Sequence, residues 1–386
     1  MLYGQQQQMK FDYITTKEGL SNNRVSVIFR DCKGYVWFGS QAGIDRYDGY
    51  QLTSFRYRDG QKDCLSDNNV NCIIGDKAKN LWVGTIDGLN LFEPFTQSFK
   101  VFKKIPNDSK SISSNYINTF FEDSKGRLWI GNGVGGGINQ WISAEHRFQH
   151  FSIPSADYKK TETNCITSIR EDSRKNLWVV GRGDCIFLFV PEKGLFVSFN
   201  DSNLNLGRNT IKNLFIDDQD LLWITTEGAG LFSFQPSTHK FKKYGYNNHG
   251  TGVNGMVLEN IIQQDKQHLL IAVDQGGINR FNKLTGTFEY IMYDDRIDHG
   301  LNNNGIWNLY KDKEGILWVG TSARGVNYYN PKKQRFKLFQ HIKTMTILCA
   351  IMQSYASIKI PKDLSGLVPM EADLVFIIRS QEILKI

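Results

Sequence analysis

The chain has 386 residues, 40% of them hydrophobic and 13% aromatic, enough to bury a large core. Its net charge of +7 is spread along the sequence; it permits an acidic ligand without demanding one, and nothing in it points to nucleic acid. No stretch approaches the roughly 18 apolar residues that span a membrane, so no membrane contact is expected of this chain.

Residues 1–8 stand apart. Leu2-Tyr3-Gly4 before Gln5 to Gln8 looks like the end of a leader and its cleavage site, yet no basic and apolar leader precedes it. The segment is expected to be a remnant of a leader or linker, with Met1 an internal start or a gene-calling artefact.

Between residues 9 and 339 one pattern recurs seven times. An Asp opens a polar turn, a Trp preceded by an apolar residue stands six positions on, and Gly-Ser/Thr follows. The copies are Asp31/Trp37, Asp76/Trp82, Asp123/Trp129, Asp172/Trp178, Asp217/Trp223 and Asp312/Trp318; a degenerate copy from Asp265 to Leu270 lacks the Trp and is one residue short. Successive Asp anchors lie 45 to 49 residues apart, the length of a four-stranded propeller blade. Eight residues before the Asp an Asn recurs, at Asn23, Asn68, Asn115, Asn164, Asn209 and Asn304.

Within a repeat the apolar residues alternate with period two in short runs, the mark of strands. In the second copy the expected strands are 71–75, 81–85, 88–93 and 99–102, with turns at 76–80 and 94–97. The Asp suits a turn because its carboxylate caps backbone N–H groups, and the Trp offers a flat surface to the adjacent blade. The recurrent Asn is expected to tie loop backbone. Phe11 to Ile14 with Gly19 to Asn23 matches a fourth strand and its following loop, so the chain opens on an outer strand able to close the ring. Phe336 to Phe339 is a second candidate for that place, and the sequence leaves the choice open. The expected fold is all-β: a seven-bladed β-propeller of four-stranded antiparallel blades over 9–339, its sixth blade the least regular, then an irregular tail over 340–386.

From about Lys343 the repeat pattern stops. In the frame that starts at the third base of each codon, Met345-Thr346 must encode Asp, Met352-Gln353 Ala and Met370-Glu371 Gly. The codon freedom left permits a Trp at 365/366, where an eighth repeat is due. The tail is expected to be an out-of-frame translation of the next repeat; the alternative is a native tail, disordered or helical.

Leu-Ser-x-Asn-x-Val, then Asp-x-x-Gly-x-Leu-Trp-x-Gly-Thr, then Gly-Gly-Leu/Ile-x-x-Phe/Tyr resembles the two-component regulator propeller repeat. It is visible in Leu20 to Tyr47, Leu65 to Phe92, Ile112 to Trp141 and Leu301 to Tyr329. The resemblance implies the N-terminal sensor propeller of a hybrid two-component histidine kinase, truncated before its kinase, periplasmic in the family, with a glycan fragment as ligand. It also implies a second propeller or a homodimer as partner.

In a propeller the loops joining strands two to three and four to one share a face over the central channel. There the repeats diverge: Gln41, Asp87, Arg182 with Asp184, Glu227, Asp274 with Gln275, and Arg324 after the Gly-Ser/Thr; Arg24, Asn69, Tyr116 and Thr210 after the Asn. Varied polar residues on a uniform framework are the pattern of a selective pocket. Arg24, Tyr116, Arg182, Glu227 and Arg324 are the chosen ligand-binding candidates, since Arg and acids bond sugar hydroxyls or carboxylates and Tyr stacks on a ring face.

No catalytic residue, metal site or cofactor is expected. The six cysteines lack paired metal-type spacing and read as free or buried thiols, although Cys64 and Cys72 could meet across one loop. His146 and His150 fall on a strand too far apart to share a metal, and Gly133 to Gly137 reads as a strand-joining turn without a following helix. Two other classes stay open: a glycan lyase or glycosidase, marked by clustered acids or a perturbed His in the channel, and a protein-docking propeller, marked by a large apolar patch.

Overall fold

The structure is a computed structural model describing residues 9–133, 135–153, 165–181, 186–199, 206, 210–247 and 249–333, with the backbone of 336–339 and 376–379. The chain divides into two compact units, Met1–Tyr329 and Asn330–Ile386.

The first unit is a ring of seven antiparallel blades. The inner strands are Val25–Arg30, Val70–Gly75, Ile117–Glu122, Ile166–Glu171, Thr210–Ile216, Val257–Gln263 and Ile306–Lys311. Each is followed by two more strands and an outer one, giving four-stranded sheets throughout; blades 5 and 6 also touch strand to strand where Glu227 meets Val257. The ring closes through its first strand, Asp12–Ile14, which pairs with Val326–Tyr329 and supplies the outer strand of blade 7. Phe336–Phe339 does not take that place; within the second unit its backbone pairs with Phe376–Arg379, a strand the repeat pattern does not anticipate. Residues 1–8 and the rest of 340–386 lie outside the described residues, and so do the expectations placed on them.

The turn Asp does more than cap backbone. In all six Trp-bearing blades its Oδ2 accepts a hydrogen bond from the indole Nε1 of the Trp six residues on, at 2.8 to 3.1 Å. Its Oδ1 meanwhile takes the backbone N–H four residues on, as at Tyr35, Asn80 and Arg127. One carboxylate thus fixes both the turn and the ring that packs the seam. Each Trp lies between blades: Trp37 of blade 1 packs with Ile73, Leu81, Val83, Phe92 and Phe99 of blade 2, its ring edge-on to Phe92 at 5.1 Å. Trp318 of blade 7 likewise packs with Val25, Ile28 and Phe38 of blade 1.

The Gly after the Trp marks where blades approach most closely. A Cβ on Gly39 would lie 2.4 Å from Val27 Cγ1 and 2.7 Å from Val70 Cγ1, one on its own inner strand and one on the next. Blades 4, 5 and 6 carry Val180, Thr225 and Ala272 at the same register position.

The sixth blade corrects an expectation. It is not ragged: its first two strands are seven residues each, Val257–Gln263 and His268–Asp274. Leu270 fills the seam in place of Trp at 2% exposure, and the Asp265 carboxylate, lacking an indole, bonds His268 Nδ1 at 2.9 Å.

Candidate functional site at the channel mouth

Every inner strand carries a β-bulge one or two residues in from its start. The register skips between Val25 and Val27, Val70 and Cys72, Ile117 and Thr119, Ile166 and Ser168, Ile211 and Asn213, Leu258 and Asn260, and Ile306 and Asn308. A bulge re-aims the extra residue and is a common device beside functional sites. The seven extra residues are Ser26, Asn71, Asn118, Thr167, Lys212, Glu259 and Trp307, one per blade around the channel wall near the face of the two-to-three and four-to-one loops.

In blades 1 to 3 these residues are fastenings. Ser26 Oγ donates to Val70 O, Asn71 Nδ2 to Ile117 O and Asn118 Nδ2 to Ile166 O, at 3.1, 2.9 and 2.6 Å, each reaching the inner strand of the next blade. In blades 5 to 7 they become ionic and aromatic. Lys212 Nζ lies 3.0 Å from Glu259 and 4.0 Å from Glu227. Burial pushes the Glu259 carboxyl above its usual range; Lys212 opposes the shift, and Asp274 and Glu227 add to it. Asp274 in turn sits beside Gly305, where a Cβ would meet its Oδ1 at 3.1 Å and Ser322 Oγ at 2.1 Å. Across that close approach Arg24 Nε donates to Ser322 O at 3.3 Å and its guanidinium stands over the Trp307 ring at 5.5 Å. Lys212, Glu227, Glu259, Asp274, Arg24 and Trp307 therefore form an arc over blades 5, 6, 7 and 1: two cations, three acids and one aromatic face.

The chosen candidates fall unevenly on this arc. Arg24 and Glu227 belong to it. Arg324 is exposed at the tip of a blade 7 loop, its backbone held by Thr321 Oγ1 and Asn302 Nδ2. Tyr116 stands on blade 3 with its ring against Gly133, whose N–H donates to Tyr116 O at 2.7 Å. Arg182 lies outside the described residues, as does Asp184. Asp87 is occupied, taking Lys103 Nζ at 2.6 Å and Asn115 Nδ2 at 2.9 Å. The recurrent Asn proves to be a tie in four blades: Asn23, Asn68, Asn115 and Asn304 accept the N–H of Thr16, Tyr57, Lys104 and Tyr293 from the segment after the preceding outer strand. Asn164 and Asn209 are outside the described residues.

Cys32, Cys64 and Cys72 are free thiols, and burial pushes the Cys72 thiol well up. His150 Nε2 meets Ser111 O at 2.6 Å and His146 packs on Trp141. Among the described residues no group of three His, Cys, Asp or Glu could hold a metal.

A second fastening escaped the sequence reading. The third strand of five blades carries a buried Asp45, Asn90, Asn139, Asn279 or Asn327, at most 1% exposed. Each accepts the backbone N–H of a mouth-loop residue: Ser21, Ser66, Ser113, Asn254 and Asn302. The signal was present as Gly, an apolar residue, then Asn or Asp. Blades 4 and 5 depart from it, with Phe187 and Phe232 at that register position.

The family described as two component regulator propeller matches residues 64–87, 111–133 and 300–323. Among solved structures, the chain is similar to an extracellular domain assigned to a hybrid two component system of B. thetaiotaomicron: 22% identity, TM-score 0.72, 85% of this chain and 43% of that one. A second such domain from the same organism gives 22% identity and TM-score 0.65 over 86% of this chain and 40% of the other. Virginiamycin B lyase from Staphylococcus aureus shares the fold at 14% identity and TM-score 0.62, over 83% and 99%. This chain thus spans less than half of either sensor domain, and at such identities the likeness is one of fold. No curated protein matches it. Among the described residues no helix is long and apolar enough to cross a membrane. Residues 9–329 thus form a seven-bladed propeller in which three segments match the two component regulator propeller.

Proposed function

We propose that this propeller is the periplasmic ligand-sensing part of a hybrid two-component system, and that it takes an oligosaccharide fragment at the channel mouth. The arc from Lys212 to Arg24 carries the reading. Its acids and cations suit hydroxyl groups, the Trp307 face suits a sugar ring, and the fastened blades beside it hold the geometry. Arg182, Arg324 and Tyr116 are the rim positions a longer ligand would reach. The sensed state would pass to a second propeller or a partner copy, and the kinase step belongs to the longer protein.

Calorimetry with an oligosaccharide library tests this. Arg24→Ala and Trp307→Ala are each expected to weaken binding about tenfold, the loss of one stacking or charge-assisted contact of about 1.4 kcal/mol. Binding that survives both variants, or no binding by any glycan, would overturn the assignment.

One observation favours a second reading. Glu259, with its carboxyl raised, lies within the field of Glu227 and Asp274, and clustered acids with a perturbed member are what a glycan-cleaving propeller would carry. Turnover of a bound glycan, abolished by Glu259→Gln, would establish it over sensing.

A further inference from the structure

Six of the seven inner strands place an apolar or aromatic residue opposite the seam position of the second strand: Phe29, Ile74, Phe121, Phe215, Ile262 and Tyr310. Blade 4 places Arg170 there, opposite Trp178. All seven are half-buried, and on an inner strand the exposed part faces the channel.

Arg170 is poorly provided for. Its guanidinium donates to Ile169 O at 2.7 Å and reaches Asn213 Oδ1 of blade 5 at 3.5 Å, which among the described residues leaves most of its five N–H donors unused. Among the described residues no carboxylate stands within ion-pair distance of it. Arg30 and Arg127, also half-buried, each reach two. Glu171, next on the strand, is directed elsewhere, taking the N–H and Oγ of Ser124, and Glu259 is engaged by Lys212. Enclosure without counter-charge brings the guanidinium down to about 10. For stability alone, an apolar residue like the other six would serve better. A half-buried cation kept without counter-charge against that preference is suited to a ligand's negative charge.

We infer that Arg170 receives the carboxylate of a sugar acid, inserted into the channel between blades 4 and 5. This rests on the sensing role proposed above and narrows its ligand to a uronic acid oligosaccharide. The fork of the guanidinium matches a planar carboxylate, and the equivalent positions on the two neighbouring blades, Phe121 and Phe215, carry no competing charge.

The test uses the whole chain with tetragalacturonate, a neutral galactose tetrasaccharide and inorganic sulfate, read by calorimetry and thermal melting. Tetragalacturonate is expected to bind and raise the Tm. Arg170→Met should weaken it at least tenfold while raising the ligand-free Tm, and Arg170→Lys, which keeps the charge but not the fork, should fall between. Three results would overturn the inference: binding unchanged in Arg170→Met, no preference for the acidic over the neutral sugar, or sulfate acting as strongly as tetragalacturonate. A lower ligand-free Tm in both variants, with no selective loss of the acidic sugar, would also overturn it by making Arg170 a structural group. If the neutral sugar binds as tightly as the acidic one and Arg24→Ala abolishes that binding, the sensing role stands and this inference alone falls. If neither sugar binds, this inference falls, and the sensing role falls with it only when the whole oligosaccharide library also fails to bind.

Discussion

Two halves of the same ring use one position in different ways. In blades 1 to 3 the bulged residue of the inner strand fastens its blade to the next one, through Ser26, Asn71 and Asn118. In blades 5 to 7 the equivalent residues are Lys212, Glu259 and Trp307, which interact with ions and rings. Blades 4 and 5 also relax two framework rules: Gly gives way to Val180 and Thr225, and the buried Asn gives way to Phe187 and Phe232. A repeat protein can keep its fold while several units obey the rules and the rest are freed for recognition. Departures from local consistency therefore mark where function sits.

The comparison breaks most readily at the seams. Trp129→Ala in blade 3 should cost about 3–5 kcal/mol by chemical denaturation, from lost packing and cavity; the partner left behind is the buried Asp123 carboxylate. A loss no greater than that of an exposed rim residue would show that the seam does not hold the ring. The loop fastening comes next. Asn90→Ala strands the Ser66 N–H and should cost about 1–3 kcal/mol, with faster amide exchange confined to the blade 2 mouth loop. Global loosening instead would mean that the tie serves the core.

The two halves of the bulge ring give the sharper contrast. Asn118→Ala should lower stability by about 1 kcal/mol and leave glycan binding unchanged, whereas Trp307→Ala should lower binding with little effect on melting. Equal effects in both assays would erase the distinction. The smallest effect is a pH dependence. Burial would raise the Asp123 carboxyl, but hydrogen bonds from the Trp129 indole and the Arg127 backbone and guanidinium outweigh it and hold the group low. Its stabilisation is thus present above the unfolded-state value of about 4 and fades as pH falls through the lower folded-state value. Asp123→Asn should narrow the Tm difference between neutral and acid solution; an unchanged difference would assign acid sensitivity elsewhere.

Fold was legible because the repeat states it seven times: turn Asp, seam Trp and, in the four blades where it is described, loop Asn stand where their spacing put them, and the opening strand closes the ring. The site was less legible. Arg24 and Glu227 were found because loops diverge visibly, but Lys212, Glu259 and Trp307 lie inside strands, and only the bulge turns them to the channel wall. A period-two pattern cannot report a one-residue skip. Arg170 was hidden for a related reason: in Ile166–Glu171, where Thr167, Ser168 and Glu171 are polar too, nothing in the sequence tells which surface each meets.

The closing strand has a consequence for how the molecule is made. Among the strands of the ring, Asp12–Ile14 leaves the ribosome first and its partner Val326–Tyr329 last. At about 5–20 residues per second, the first strand waits on the order of tens of seconds for its place. Until then Phe11, only 1% exposed in the closed ring, and the free edge of each newly finished blade face a crowded solution. Synthesis of this propeller therefore includes an interval in which the ring is open and its two closing strands are not yet available to each other.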